Sequence, residues 1–276
     1  MPYPILTLPY PFAQRLCQLL TPEELENLQT AAAHEIGQLK PIVQSMRSKL
    51  VIFYAINSKV VMNLVNHSIR TSVYKTSYLK CDVLGFHQLN ESMFKKSNFS
   101  HLYFKAKKLG FWGCDISITF LKTVALMIPA IHQLNQLDLS FSQRIDEAIK
   151  LPFIFHYFPN LLCFKTSRAY KGWVNDLLDL NIGGLSFFYI KHTNFDELFS
   201  FKAEQLYNFI QKQQSKFMIS INYKYSADAN TTEIKRSIVT LLKPKFQIVK
   251  KGVGKIELNI ASTPFNQEQL RFDYKT

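Results

Sequence analysis

Residues 134–140 have the sequence LNQLDLS, in which leucines occupy positions 134, 137 and 139. This spacing predicts a short strand that is anchored by its apolar side chains. Similar runs follow, and Leu137, Leu161 and Leu185 are each separated by 24 residues. A stretch with a helical pattern lies between one run and the next. The alternation of strands with helices predicts an α/β fold.

A repeat of 24 residues falls within the roughly 20–29 residues that are typical of a leucine-rich repeat. The three central units resemble such repeats, with helices predicted at residues 149–158 and 173–180. The resemblance implies an irregular leucine-rich-repeat-like α/β domain that covers residues 46–265. A compact α/β domain in which the spacing arises by chance is the alternative.

Weaker patterns predict the elements on either side of the central units. On the N-terminal side they are a strand at residues 50–56, a helix at 62–69, a strand at 102–104, a basic turn at Lys105, Lys107 and Lys108, and a helix at 116–131. On the C-terminal side they are a helix at 202–214, a strand at 217–223, a helix at 232–242, and a hairpin in which residues 250–254 form the turn and Ile256, Leu258 and Ile260 alternate. Residues 266–276 are predicted to form a polar tail.

The N-terminal 45 residues contain a pattern that predicts two short helices. Pro11 can begin the first helix, because proline fits the first helical position. The apolar residues that then share one helical face are Phe12, Leu16, Leu19 and Leu20. Thr21 and Glu24 form a capping-box pattern around Pro22, which predicts the start of a second helix. Such a small unit cannot bury all of its apolar side chains, so we expect some to pack on the rest of the chain or on another protein.

This order of residues resembles an F-box: a Leu-Pro start, an amphipathic helix that ends in paired leucines, a turn with proline, and a second apolar helix. The similarity extends to the divergent F-box proteins of nematodes. It implies that residues 1–45 form an F-box-like module that docks a Skp-like adaptor of a cullin complex. The residues implied to contact the adaptor are Leu8, Pro9, Phe12, Leu16, Leu19, Leu20, Pro22, Leu25 and Leu28. The implied function is substrate recognition for an SCF-type ubiquitin ligase.

The net charge of +13 belongs to the larger, C-terminal part of the chain. Residues 1–50 contain four basic and four acidic side chains, whereas residues 51–276 contain 29 basic and 16 acidic ones. A basic surplus favours acidic partners, and we expect a protein target with an acidic patch.

Basic and aromatic residues interleave at the predicted partner-binding residues Lys105, Lys107, Lys108 and Trp112. The same mixture suits nucleic acid, because phosphates need cations and bases need stacking partners. The alternatives to a ligase subunit are therefore a basic nucleic-acid-binding protein or a protein-interaction module outside the ligase system.

The sequence contains no pattern typical of a catalytic site, so we expect a non-catalytic protein without a metal or cofactor. The four cysteines are far apart and lie among apolar residues, which favours buried free thiols in a reducing compartment. The apolar run 116–134 includes Lys122, Pro129 and His132, so we do not expect a membrane span. A cytoplasmic or nuclear location is expected.

Overall fold

The computed structural model describes residues 10–32, 43–57, 59–65, 77–96, 99, 102–226, 229–249, 255–263 and 266–274. The helices are α1 (Tyr10–Leu19), α2 (Pro22–Ala32), α3 (Glu91–Lys96), α4 (Ile118–Leu126), α5 (Leu151–Tyr157), α6 (Trp173–Asp179), α7 (Phe195–Leu198), α8 (Ala203–Gln211) and α9 (Thr231–Leu242). The strands are β1 (Gln44–Ile56), β2 (Lys59–Val65), β3 (Ser77–His87), β4 (Leu102–Trp112), β5 (Asp115–Ile116), β6 (Gln136–Phe141), β7 (Arg144–Ile145), β8 (Cys163–Thr166), β9 (Phe187–His192), β10 (Met218–Lys224), β11 (Phe246–Ile248), β12 (Ile256–Thr263) and β13 (Asn266–Tyr274). The fold is therefore mixed α/β, as predicted.

Eleven of the described strands form one mostly parallel sheet, in the order β11-β13-β12-β10-β9-β8-β6-β4-β3-β1-β2. From β1 to β12, neighbouring parallel strands follow the order of the chain. Right-handed crossovers between such strands lie on the same side of the sheet, so helices α3 to α9 belong to one face. We call the opposite face the outer face.

Burial along the strands agrees with this division into two faces. Leu137 of β6 is buried, whereas Asp138 beside it is only half-buried. Phe164 of β8 and Phe188 of β9 lie in register with Leu137 and are also buried. All three belong to the same core as helical residues such as Trp173. Parallel strands that bury one face against helices are stabilised mainly by this apolar contact.

The 24-residue spacing is only partly a structural repeat. The residue in register with Leu137 is Phe164, so the interval from β6 to β8 is 27 residues. Phe164 is in register with Phe188, which does give an interval of 24 residues. Leu161 lies three residues before Phe164, and it corresponds to Leu134 rather than to Leu137. The predicted equivalence of Leu137 with Leu161 is therefore wrong, whereas that of Leu161 with Leu185 agrees with the register.

Two predictions on the N-terminal side are wrong. The helix at 62–69 is contradicted, because residues 62–65 belong to β2, which pairs antiparallel with β1; residues 66–69 lie outside the described part. The more buried residues of β2 alternate with exposed ones, as expected for a strand with one face on the core. The more buried ones are Val60, Met62 and Leu64. The basic turn is also contradicted, since Lys105, Lys107 and Lys108 lie within β4.

The C-terminal predictions are wrong at two points. Residues 266–274 form β13 rather than a polar tail, and Phe272 of this strand is buried in the core. β13 lies between β11 and β12 and pairs antiparallel with both, so β11 and β12 do not form a hairpin with each other. The turn predicted at residues 250–254 lies outside the described residues.

The remaining element predictions agree with the structure apart from their ends. The strand at 50–56 is the second half of β1, and the helix predicted at 116–131 is the shorter α4. The elements that match in the central and C-terminal parts are α5, β8, α6, β9, α8, β10 and α9. Periodicity identified these elements because each buries one regular face.

Candidate binding surfaces on the outer face of the sheet

Helix α2 begins with the predicted capping box. The backbone N–H of Thr21 donates to Oε2 of Glu24 at 2.9 Å, and the backbone N–H of Glu24 donates to Oγ1 of Thr21 at 3.3 Å. Pro22 occupies the first helical position, where its missing N–H costs nothing. These bonds satisfy amide groups that a helix start otherwise leaves without partners.

Helix α2 packs on the outer face of the sheet through a small apolar cluster of its own. Leu25 is only 4% exposed and belongs to a cluster with Val43 and Tyr78, separate from the main core. Leu20 and Leu28 are half-buried against the same cluster. Leu25 was predicted to contact an adaptor; in this arrangement the chain itself encloses its side chain.

Two ion pairs fix α2 to the sheet beside this cluster. Nζ of Lys105 lies 2.5 Å from Oε1 of Glu23, and Nζ of Lys80 lies 2.6 Å from Oε2 of Glu26. The hydroxyl of Tyr78 donates to Oε2 of Glu23 at 3.1 Å. The hydrogen bond from Lys105 lowers the pKa of the Glu23 carboxyl below its ordinary value. Burial, together with the nearby Glu23 charge, raises the pKa of the Tyr78 hydroxyl.

Helix α1 keeps an exposed apolar face. Phe12 is 65% exposed and Leu19 is 72% exposed. They are seven positions apart, which is close to two helical turns, so they share one face with the half-buried Leu16. Of the predicted adaptor contacts, Leu8 and Pro9 lie outside the described residues.

A pocket of about 640 Å³ opens on the outer face next to α2. Its lining comes from the strands β1, β3 and β4 and from the 3₁₀ turn Ile131–Gln133. We call it the basic pocket, after the residues that dominate its lining. They are Arg47, Lys49, Lys80, Lys105 and Lys107; the described lining also includes Gln133 and one carboxylate, that of Asp82.

Strand register explains why these cations come together. Arg47 of β1 lies in register with Lys80 of β3, which lies in register with Lys105 of β4. Two positions further along the strands, the same face carries Lys49 and the ion pair between Lys107 and Asp82, whose Nζ and Oδ1 are 3.2 Å apart. In the part of the chain that the structure describes, Arg47 and Lys49 form no ion pair with a carboxylate.

The four residues predicted to bind a partner do not form one cluster. Lys105 and Lys107 line the basic pocket, while Trp112 is seven and five positions further along β4, about 23 Å and about 17 Å away at the rise of a strand. The Trp112 ring covers Gly85 and Gly110, and a Cβ atom on Gly85 would lie 2.5 Å from its Cζ3. Lys108 is exposed and lies in register with Gln136, outside the basic pocket.

Sequence reasoning missed Arg47, Lys49 and Lys80. The available signal was the occurrence of charged residues two positions apart within otherwise apolar strands, as at Lys105 and Lys107. Such a pair points to one face of a strand. The alignment of three strands in register cannot be obtained from local sequence, because it depends on tertiary structure.

The centre of the outer face is polar. Nζ of Lys165 lies 3.4 Å from Oδ2 of Asp138, and Oδ1 of Asp138 accepts from the hydroxyl of Ser140 at 2.6 Å. Tyr189 lies in register with Lys165, and burial raises the pKa of its hydroxyl. Lys191 and Lys224 continue the positive charge towards the other end of the sheet.

Among the described residues, no three His, Cys, Asp or Glu side chains are grouped so that they could hold a metal ion. The thiols of Cys81 and Cys114 are free and buried, and burial raises their pKa values to about 12 and about 11. No described helix combines the length and apolar character that crossing a membrane requires.

The chain matches no protein-family model, no curated protein and no solved structure. The contacts, charges and exposed side chains described above are therefore the basis for any functional proposal.

Proposed function

We propose that the protein is a substrate-recognition subunit of an SCF-type ubiquitin ligase, in which α1 and α2 form an F-box-like element and the sheet forms a leucine-rich-repeat-like target-binding domain. The observation that carries the proposal is the exposed apolar face of α1, with Phe12 and Leu19. An apolar face on a short helix is a common docking element for a protein partner. The mechanism is proximity: the protein holds a target beside a ubiquitin-conjugating enzyme and needs no catalytic group of its own.

The position of α2 supports this role for α1. Leu25 and the two ion pairs attach α2 to the sheet, so the orientation of α1 is restricted through the capped junction at Thr21. A docking helix that is held in place loses less conformational freedom on binding than a free one. In this proposal a Skp-like adaptor covers Phe12, Leu16 and Leu19.

The part of the outer face that lies beyond α2 supports the second half of the proposal. Strands that follow chain order with their helices on one side are the arrangement of a leucine-rich repeat, which commonly binds partners on a sheet surface. Here that surface carries Lys108, Lys191 and Lys224. A target with an acidic patch would complement this charge and would associate faster at low salt.

Binding of the full chain to a purified Skp-like adaptor tests the proposal. The double variant Phe12→Ala/Leu19→Ala should weaken binding at least about 30-fold, the effect of losing an interface centre. The matched control is Leu126→Ala/Phe141→Ala, which removes a leucine that is 77% exposed and a phenylalanine that is 64% exposed elsewhere. Calorimetric titration would measure the affinity of both double variants for the adaptor. Absence of adaptor binding by the wild-type chain, or equal losses in the two variants, would refute the proposal.

A second candidate is single-stranded nucleic-acid binding, which one observation favours. Trp112 lies in register with Phe141 on the neighbouring strand, and Lys108 is exposed on the same strand as Trp112. Aromatic rings with nearby cations can stack bases and neutralise phosphates. A gel shift that weakens steeply with salt and is lost on Phe141→Ala would support this candidate.

A further inference from the structure

We propose that the basic pocket binds a compact anion that carries two or more phosphate groups, with Arg47 and Lys49 as its main contacts. This ligand site goes beyond the proposed role as a ligase subunit. It does not depend on adaptor binding, since the pocket and the exposed face of α1 are formed by different residues.

Arg47, Lys80 and Lys105 form a row of cations on adjacent strands. Adjacent strands are about 4.8 Å apart, and like charges placed directly opposite each other destabilise a sheet. A row of three cations therefore requires negative charge close by. Helix α2 supplies part of it, through Glu26 at Lys80 and Glu23 at Lys105.

Positive charge remains in the basic pocket after these pairs have formed. Lys107 pairs with Asp82, although both side chains are well exposed. Arg47 and Lys49 lie two positions apart on the same face of β1, so their backbones are about 7 Å apart. Within the described residues, neither has a carboxylate partner, so the pocket keeps two cations that an external anion can neutralise.

The size and the lining of the basic pocket indicate the kind of anion that it can bind. The pocket volume of about 640 Å³ lies in the range of small-molecule sites. None of the described residues that line it is aromatic, so these residues offer no platform on which a nucleobase would stack. An arginine guanidinium can hold a phosphate with two parallel hydrogen bonds, and a lysine adds a point charge. Gln133 offers an amide donor to a further oxygen.

Titration of the full chain with inorganic tripolyphosphate, at constant ionic strength, tests the proposal. Arg47→Gln/Lys49→Gln should weaken binding about tenfold to a hundredfold, the effect of losing hydrogen bonds to a charged group. The matched control Lys171→Gln/Lys216→Gln removes two exposed cations that form no ion pair among the described residues, and it should change the affinity less than about twofold. Both variants alter exposed residues, so circular dichroism should show an unchanged fold.

A variant with the opposite expected effect sharpens the test. Glu26→Gln removes a carboxylate that competes for Lys80, so it should tighten tripolyphosphate binding. The proposal is overturned if the wild-type chain does not bind tripolyphosphate, if both double variants weaken binding equally, or if Glu26→Gln leaves the affinity unchanged or weaker. Binding of an RNA oligomer but not of tripolyphosphate would also overturn it, in favour of a nucleic-acid site.

Discussion

Replacing Leu25 with alanine should loosen α2 from the sheet. The side chain is 4% exposed, and the change removes three carbons, or about 2.4 kcal/mol at about 0.8 kcal/mol per buried methylene. A residual cavity would add to this cost, but the half-buried Leu20 and Leu28 can close part of the space. We therefore expect a loss of about 2–3 kcal/mol in the free energy that holds α2 in place.

Hydrogen exchange is the suitable assay, because α2 can detach without unfolding the main core. A loss of 2–3 kcal/mol corresponds to about 30-fold to 150-fold faster exchange of the α2 amides. Leu19→Ala is the matched control, since the same substitution at a side chain that is 72% exposed should change stability by less than about 0.5 kcal/mol. Equal exchange rates in the two variants would contradict the packing of α2 described here.

Three further results are expected. Gly85→Ala should place a Cβ 2.5 Å from Cζ3 of Trp112, displace the ring, and destabilise the protein by about 1–3 kcal/mol. Denaturant unfolding followed by tryptophan fluorescence would detect the displaced ring and the lower stability. An unchanged unfolding midpoint would contradict the expected clash. The pKa of the Glu23 carboxyl is lowered in the folded state, so its ion pair with Lys105 stabilises the fold at any pH above the carboxyl's ordinary pKa. This stabilisation is lost as the pH falls through the lowered pKa. The free energy of unfolding of Glu23→Gln should therefore be smaller than that of wild type at pH 7 and equal to it in acid. Burial raises the pKa of the Cys81 thiol to about 12, so this thiol should react with a disulfide reagent at pH 8 much more slowly in the folded protein than in denaturant. The difference between the reaction time courses of wild type and Cys81→Ser, with and without denaturant, would check this.

The parts of the fold that sequence predicted are those set by local pattern. The capping box at Thr21 and Glu24 involves residues three positions apart, and it forms as predicted. The central helices and strands each bury a regular face, so their periodicity is visible in the chain. The interval between β6 and β8 was misjudged because Leu134, Leu137 and Leu161 all fit a leucine pattern, and only register distinguishes them.

The parts that sequence did not predict depend on distant partners. The sequence of residues 62–65 is compatible with a short helix or with a strand, and these residues form a strand because they pair with β1. Charged residues such as Lys105 and Lys107 resemble a turn in sequence, because local pattern cannot show that they lie on the outer face of a strand. The contact between Glu23 and Lys105 joins residues 82 positions apart, so local sequence patterns cannot predict the position of α2 on the sheet.

The apolar residues of α1 and α2 were expected to contact one partner together. Because α2 is attached to the sheet, its Leu25 is buried, whereas Phe12 and Leu19 of α1 are exposed. A partner that contacted Leu25 would have to separate it from Tyr78 and break the ion pairs at Glu23 and Glu26, at the cost of exposing two lysines without their counterions. A partner that contacts Phe12 and the rest of the exposed face of α1 avoids these losses. Docking through α1 alone is therefore the less costly arrangement, and it leaves the Glu23 and Glu26 pairs beside the basic pocket unbroken while a partner is bound.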